Sequence, residues 1–271
     1  MTTRSRIAGL STFAALAACA VLAAPASANT TVMGSALTLP YQGGVCNNNC
    51  LSVQLTQVGG NSPNPLTSPA NGVVTSWAVR TGDPDALYTL RILTPFVNNA
   101  YVSTTSVRAP APVPAGTVDS IITYPVATTV PIKFGQAIGV LQTNGGGAGA
   151  DVGLPQNTTN GVTTNVISNN FNGTFLDGLG ATFLPDQQHE LLLQATIKFC
   201  KVPNLVGQKP AAAQAPLTAA DCGTARIVRK PVKKKRKRGK ILRTAPAADV
   251  TAAPGTAVKI IVGVKKKKKK K

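Results

Sequence analysis

Val73-Val74-Thr75-Ser76-Trp77-Ala78-Val79-Arg80 decides the fold class. Side chains of an extended strand change face at every residue. Period two therefore sets Val73, Thr75, Trp77 and Val79 on one face, and Val74, Ser76, Ala78 and Arg80 on the other. The same period returns where Leu191, Leu193, Ala195, Ile197 and Phe199 alternate with Glu190, Leu192, Gln194, Thr196 and Lys198. Further strands are expected at 51–58, 87–93, 120–124 and 138–142. They are separated by the breakers Asn64-Pro65, Gly82-Asp83-Pro84, Pro110 to Pro114 and Asn144 to Gly149. No stretch between Asn29 and Phe199 carries a 3.6-residue period. Seven or more short strands with turn signals between them predict a jelly-roll-like β-sandwich over 29–199. Roughly 170 residues suffice to bury a core on that plan.

Charge divides the chain at the same place. The 271 residues carry 28 Lys and Arg against 9 Asp and Glu, a formal net charge of +19. Five bases and seven acids lie between Asn29 and Phe199, whereas 21 bases and two acids, Asp221 and Asp249, lie between Cys200 and Lys271. One His (His189), one Glu (Glu190) and one Trp (Trp77) serve the whole chain. General acid–base catalysis and metal binding draw mainly on His, Glu and Asp, so the composition argues against an enzyme and predicts no metal and no cofactor.

Residues 1–28 have the layout of an export signal. Arg4 and Arg6 precede an apolar stretch from Ile7 to Ala24, and Ala26-Ser27-Ala28 offers small residues where a signal peptidase reads. Leu16-Ala17-Ala18-Cys19 also has the form of a lipobox, which would acylate Cys19. The apolar run continues past it to the Ala-x-Ala site, which favours free export over lipid anchoring. No later segment offers about 18 consecutive apolar residues. Beyond the signal four cysteines remain, Cys46, Cys50, Cys200 and Cys222. An even count in an exported chain predicts two disulfides among three possible connectivities, and proximity favours Cys46–Cys50 with Cys200–Cys222. A metal pair at Cys46 and Cys50 would need two further ligands, and no His or Cys lies nearby.

The sandwich segment carries little chemistry. Asp83, Asp85 and Asp151 or Asp177 could be imagined around a calcium ion, but their spacing matches no loop motif, and Asp is common in turns for backbone reasons. Glu190 is expected on the polar face of its strand beside His189, with no second carboxyl to complete a glycosidase pair. Trp77 is expected as a core anchor; Tyr41, Tyr88, Tyr101 and Tyr124 could line a ligand groove, but with aromatics at 4% no cluster is evident. In style the segment is similar to β-sandwich domains of exported actinobacterial proteins.

From Cys200 the pattern changes. Cys200-Lys201-Val202-Pro203-Asn204-Leu205-Val206-Gly207 leads to Pro210, suited to a first helical position, and Ala213, Leu217 and Ala220 then fall on one helical face. Strand-like pieces follow at 225–229, 240–244 and 257–262. Helix followed by three strands is a small α+β unit spanning 200–264. The Val202-Pro203-Asn204-Leu205-Val206-Gly207 opening, the Ala-rich helix, Ala245-Pro246-Ala247-Ala248 and Pro254-Gly255-Thr256 together resemble a PASTA domain, the module repeated outside the membrane in bacterial Ser/Thr kinases and penicillin-binding proteins. The resemblance implies binding to peptidoglycan. Departures are Pro216 inside the helix, Asp249 where the family often has Gly, and a single copy.

Two cationic runs complete the chain. Lys233-Lys234-Lys235-Arg236-Lys237-Arg238 is expected to project from a hairpin end, and Lys265 to Lys271 to form a disordered tail. Both predict adhesion to an anionic polymer: an acidic wall glycan, wall teichoic acid, or an anionic membrane surface. Nucleic acid is argued against by the export signal and by the absence of interleaved aromatics. The expectation is thus a secreted, wall-associated, non-enzymatic protein. Its alternative is a carbohydrate-binding sandwich tethered by the basic tail.

Overall fold

The computed structural model describes residues 29–42, 45–47, 49–54, 64–82, 86–97, 100–144, 151–153, 156–157, 165–171, 176–182, 184–187 and 190–266. The export signal with Cys19, the residues Asp83, Asp85 and His189, and the tail end to Lys271 lie outside these. So do the side chains of Cys46 and Asp151.

The chain is mainly β. Eleven strands build two antiparallel sheets: β1 (Thr30–Gly34), β2 (Asn49–Gln54), β3 (Gly72–Arg80), β4 (Ala86–Pro95), β5 (Ala100–Arg108), β6 (Ile121–Ile132), β7 (Ala137–Asn144), β8 (Asn165–Phe171), β9 (Gly180–Thr182), β10 (Leu184–Gln187) and β11 (Leu193–Lys198). One sheet has the order β1-β11-β3-β6, the other β9-β5-β4-β7-β2-β8-β10. Met33, Trp77, Val79, Ile132 and Ile197 of the first sheet share one buried cluster with Tyr88, Leu90, Ile92 and Val140 of the second. Trp77 anchors it, its ring centroid 4.4 Å from that of Tyr124 at an interplanar angle of 33°. Such a tilted pair adds roughly 0.5–1.5 kcal/mol beyond its buried area.

The alternation of β11 is as expected: Leu193, Ala195 and Ile197 are buried, while Gln194, Thr196 and Lys198 are only partly so. In β3 the expected faces are wrong for half the strand. Val74 pairs with Val130 and Ile197, Ser76 pairs with Pro125 and Thr196, and Thr75 has no partner on either side. Thr75 is the extra residue of a bulge, and a bulge reverses the parity of everything before it. Val74, Trp77 and Val79 therefore point into the core, and Val73 and Thr75 do not. The expected polar outer row also fails in the wide sheet. Its central strands are buried on both faces, and Leu51, Val53, Leu93, Tyr101 and Leu141 form a second apolar cluster.

Cys200 opens a unit with its own core. Pro210–Ala212 is a 3-10 turn and α1 (Gln214–Ala219) one short helix; β12 (Ala225–Val232), β13 (Ile241–Ala245) and β14 (Val258–Lys265) form a sheet of order β12-β14-β13. Helix-then-three-strands is the predicted order. Pro216 splits the predicted longer helix: Ala213 separates the 3-10 turn from α1, and Pro216 falls in the first turn of α1, where an N–H has no intrahelical acceptor in any case. The helix stops in a Schellman turn, with Asp221 N–H on the Thr218 carbonyl, Cys222 N–H on that of Leu217, and Asp221 at φ +55°. Ala213 and Leu217 pack on Val258, Ile260 and Val262.

Cys200 and Cys222 are joined, Cα to Cα 4.8 Å across 22 residues of chain. Closing a loop of that size stabilises by about 3 kcal/mol in the chain-entropy description, a large share of what so small a core supplies. Asp221 also receives the Lys198 ammonium at 2.7 Å, tying the last sandwich strand to the end of the helix. Asp249 stands at φ +64°, in the left-handed region that glycine occupies most readily.

Candidate polyanion interface

The first cationic run does not project from a hairpin. β14 lies between β12 and β13, so residues 233–240 must cross the end of β14 to reach β13. They do so as a 3-10 turn, Lys235–Lys237, with Lys237 N–H on the Lys234 carbonyl and Arg238 N–H on that of Lys235. Gly239 N–H then bonds the Gly263 carbonyl at 2.8 Å, and Gly263 N–H bonds that of Lys240 at 3.0 Å. The approach is so close that a Cβ on Gly263 would stand 2.2 Å from the Lys237 carbonyl oxygen. Only glycine permits this contact.

The turn presents Lys233, Lys234, Lys235, Arg236 and Lys237 to solvent, while Arg238 is half-buried, its guanidinium reaching the Lys233 carbonyl. Its Nε is buried without a hydrogen-bond partner among the described residues.

β12 and β14 run parallel, with Val232 opposite Lys265. Parallel pairing brings both C-terminal ends to the same end of the sheet, so the chain leaves toward its tail beside the start of the first run. Two cationic stretches separated by more than 25 residues of sequence thus meet at one edge. Lys265 and Lys266 are exposed there. Among the described residues the unit's two acids are engaged elsewhere, Asp221 with Lys198 and Asp249 with Lys201 at 3.9 Å.

Sequence reasoning passed over Lys230 and Lys240. Both line an open cavity of about 400 Å³ together with Arg236 and Lys237, over a floor that includes Ile241 and Val232, with Val206 and Leu242 also along its wall. The wall at Gly207 is fixed by reciprocal bonds, Gly207 N–H to the Ile241 carbonyl and Ile241 N–H to that of Gln208, each 2.9 Å. The signal available in the sequence was the alternation of β12, which sets Lys230 on the face of Arg226 and Val228.

Asp177 accepts Arg91 at 2.9 Å, Ser103 at 2.7 Å and Ser106 at 3.0 Å, which ties this carboxylate to β4 and β5; the side chains of the other acids of the imagined calcium set lie outside the described residues. Burial pulls the Arg91 guanidinium below its ordinary value, against the opposing effect of Asp177. No group of three or more His, Cys, Asp or Glu suited to a metal occurs among the described residues. Cys50 is disulfide-bonded. Trp77, Tyr88, Tyr101 and Tyr124 are buried, and Tyr41 is half-buried, so these rings form no exposed aromatic platform.

Glu190 is not on a polar face. It belongs to a separate two-residue strand, Glu190–Leu191, paired with Gln156–Asn157, and the chain changes sheet at Leu192 before β11 begins. Leu191, Leu192 and Leu193 are all buried, so alternation cannot be carried back across them. Glu190 is 4% exposed, and one oxygen of its carboxyl accepts the Ser35 hydroxyl at 2.5 Å; the other oxygen is buried and has no partner among the described residues. Burial raises its pKa, and the Ser35 hydrogen bond offsets part of that rise.

No protein-family model, no curated protein and no solved structure matches this chain.

Proposed function

We propose that the protein is an exported, non-enzymatic component of a bacterial cell envelope, held to peptidoglycan or to an acidic wall polymer by its basic C-terminal unit. The reading takes residues 29–199 as a jelly-roll-like sandwich that displays a second surface, and residues 200–264 as a PASTA-like module. The observation that carries it is the meeting of the 233–238 run with Lys265 and Lys266 at one end of a cystine-braced sheet. A surface so dense in cations, with both local acids paired elsewhere, attracts any flexible polyanion in reach. The export signal makes that polyanion an envelope component, with an anionic membrane surface as the other nearby source. The buried state of Glu190 favours a structural over a catalytic role for the chain's single glutamate.

Sedimentation of the full chain with purified wall sacculi tests the reading. Retention at low ionic strength and release as salt rises are expected, because exposed charges are screened beyond about 8 Å at 0.15 M. A chain that stays in the supernatant at low salt would refute it.

A further inference from the structure

We propose that Lys230, Arg236, Lys237 and Lys240 form a seat for a phosphodiester group, so that the unit grips one phosphate of a phosphate-linked polyol chain besides attracting its overall charge. The proposal rests on the polyanion reading above and names the ligand chemistry of that surface.

Three features separate this place from the surrounding cationic surface. First, it is concave. The four cations rim a cavity of about 400 Å³ floored by Val232 and Ile241, among others. A small hydrated anion gains nothing from an apolar floor, whereas an anion borne on a carbon backbone buries its CH groups there while the charge stays at the rim.

Second, the cations come from three elements: Lys230 from β12, Arg236 and Lys237 from the 3-10 turn, and Lys240 from the entry to β13. Donors converging from three directions suit a tetrahedral phosphate, whose oxygens accept out of plane. A carboxylate accepts in one plane and can satisfy only part of such a set. A phosphodiester also lies within a chain rather than at the end of a side group, so the polymer can pass through an open cavity.

Third, the seat is preformed. The turn is locked onto Gly263 by backbone bonds on both sides of the glycine, and Gly207 is locked onto Ile241. The backbone needs no reordering on binding, so only the side-chain rotamers of the four cations remain to be fixed. The seven lysines from Lys265 to Lys271 have no apolar residue among them to supply such a floor, and serve attraction alone.

The test is a titration of the full chain with poly(glycerol phosphate) oligomers near 0.15 M salt. Two double variants remove the same charge from exposed positions, Lys230→Gln with Lys240→Gln at the seat, and Lys265→Gln with Lys266→Gln at the tail exit. The seat pair is expected to weaken binding roughly tenfold or more, and the tail pair less than about threefold, as for rim charges that act through screening. Equal losses from the two pairs would overturn the proposal, because charge alone would then explain binding. So would equal affinity for polygalacturonate of matched length, a carboxylate polymer. Sacculi that retain the chain while the oligomers do not bind would also refute the seat and leave the wall reading standing. Vesicles of phosphatidylglycerol, run with the same variants, identify the source. Tighter capture by vesicles than by oligomers, with the same dependence on Lys230 and Lys240, keeps the seat and assigns its phosphodiester to a lipid headgroup; the reverse ranking assigns it to a wall polymer.

Discussion

Glu190 is the residue at which burial and charge are in most direct conflict. A carboxylate needs several donors when taken out of water, and here one oxygen has the Ser35 hydroxyl while the other has none among the described residues. The ionised form is therefore disfavoured, and the folded pKa lies above the unfolded value of about 4.3. A raised folded pKa means that the folded chain binds the proton more tightly than the unfolded one. The resulting stability is complete below the unfolded pKa and is lost as pH rises through the folded one. Glu190→Gln keeps an acceptor for Ser35 and cannot ionise, so its urea midpoint should change less with pH across that window than that of the parent. Parallel midpoint profiles for the two proteins between pH 4 and 7 would show that the carboxyl titrates alike in the folded and unfolded states and that burial does not shift it. Ser35 itself is held by a second bond, its hydroxyl oxygen accepting from Leu37 N–H at 2.9 Å, so the pair is set by the β1 exit and not by chance side-chain placement.

The crossing turn 233–240 is the element on which the proposed binding surface depends, and Gly263 is the contact that seats it. A methyl group there would meet the Lys237 carbonyl oxygen at 2.2 Å and the Val232 side chain at 3.1 Å, and neither the turn nor the strand can yield without breaking the bonds that join them. Gly263→Ala is expected to cost about 1–3 kcal/mol of the unit's stability, as overpacking does in a close contact. It should also speed hydrogen exchange at the Gly239 amide, which donates to Gly263. An unchanged urea midpoint and unchanged exchange would show that the turn is not seated there. Elements of this kind mark where sequence reading runs out. Leu193, Ala195 and Ile197 announced their strand because a regular antiparallel strand repeats every two residues without interruption. Thr75 hid a bulge and Leu192 hid a change of sheet, and a parity argument cannot survive either. The two cationic runs were plain as runs, but their meeting depends on β14 entering between β12 and β13, a long-range pairing with no local signature. Lys230 and Lys240 were missed for the same reason. Each is a single lysine in sequence and becomes part of a site only when strands and turn enclose the same cavity.

Across the whole molecule, charge is segregated: 21 bases stand from Cys200 onward, against five between Asn29 and Phe199. Such an arrangement is costly when no partner is bound. Val232 lies opposite Lys265 at the end of a parallel pair, where neighbouring strands stand about 4.8 Å apart, so the start of one run faces the start of the other. Like charges this near repel through distances shorter than the screening length of about 10 Å at 0.1 M salt. Removing the repulsion should stabilise the unit, which reverses the usual response of a protein held by surface ion pairs. Thermal stability of the unit is therefore expected to rise with added sodium chloride, and to rise further at constant ionic strength when a polyanion is supplied, since a ligand bound only by the folded form shifts the equilibrium toward it. Lys234→Gln with Lys235→Gln, both exposed, should raise the melting temperature at low salt and flatten its dependence on salt. A melting temperature that falls as salt is added would mean that attractive pairs such as Lys198–Asp221 outweigh the repulsion.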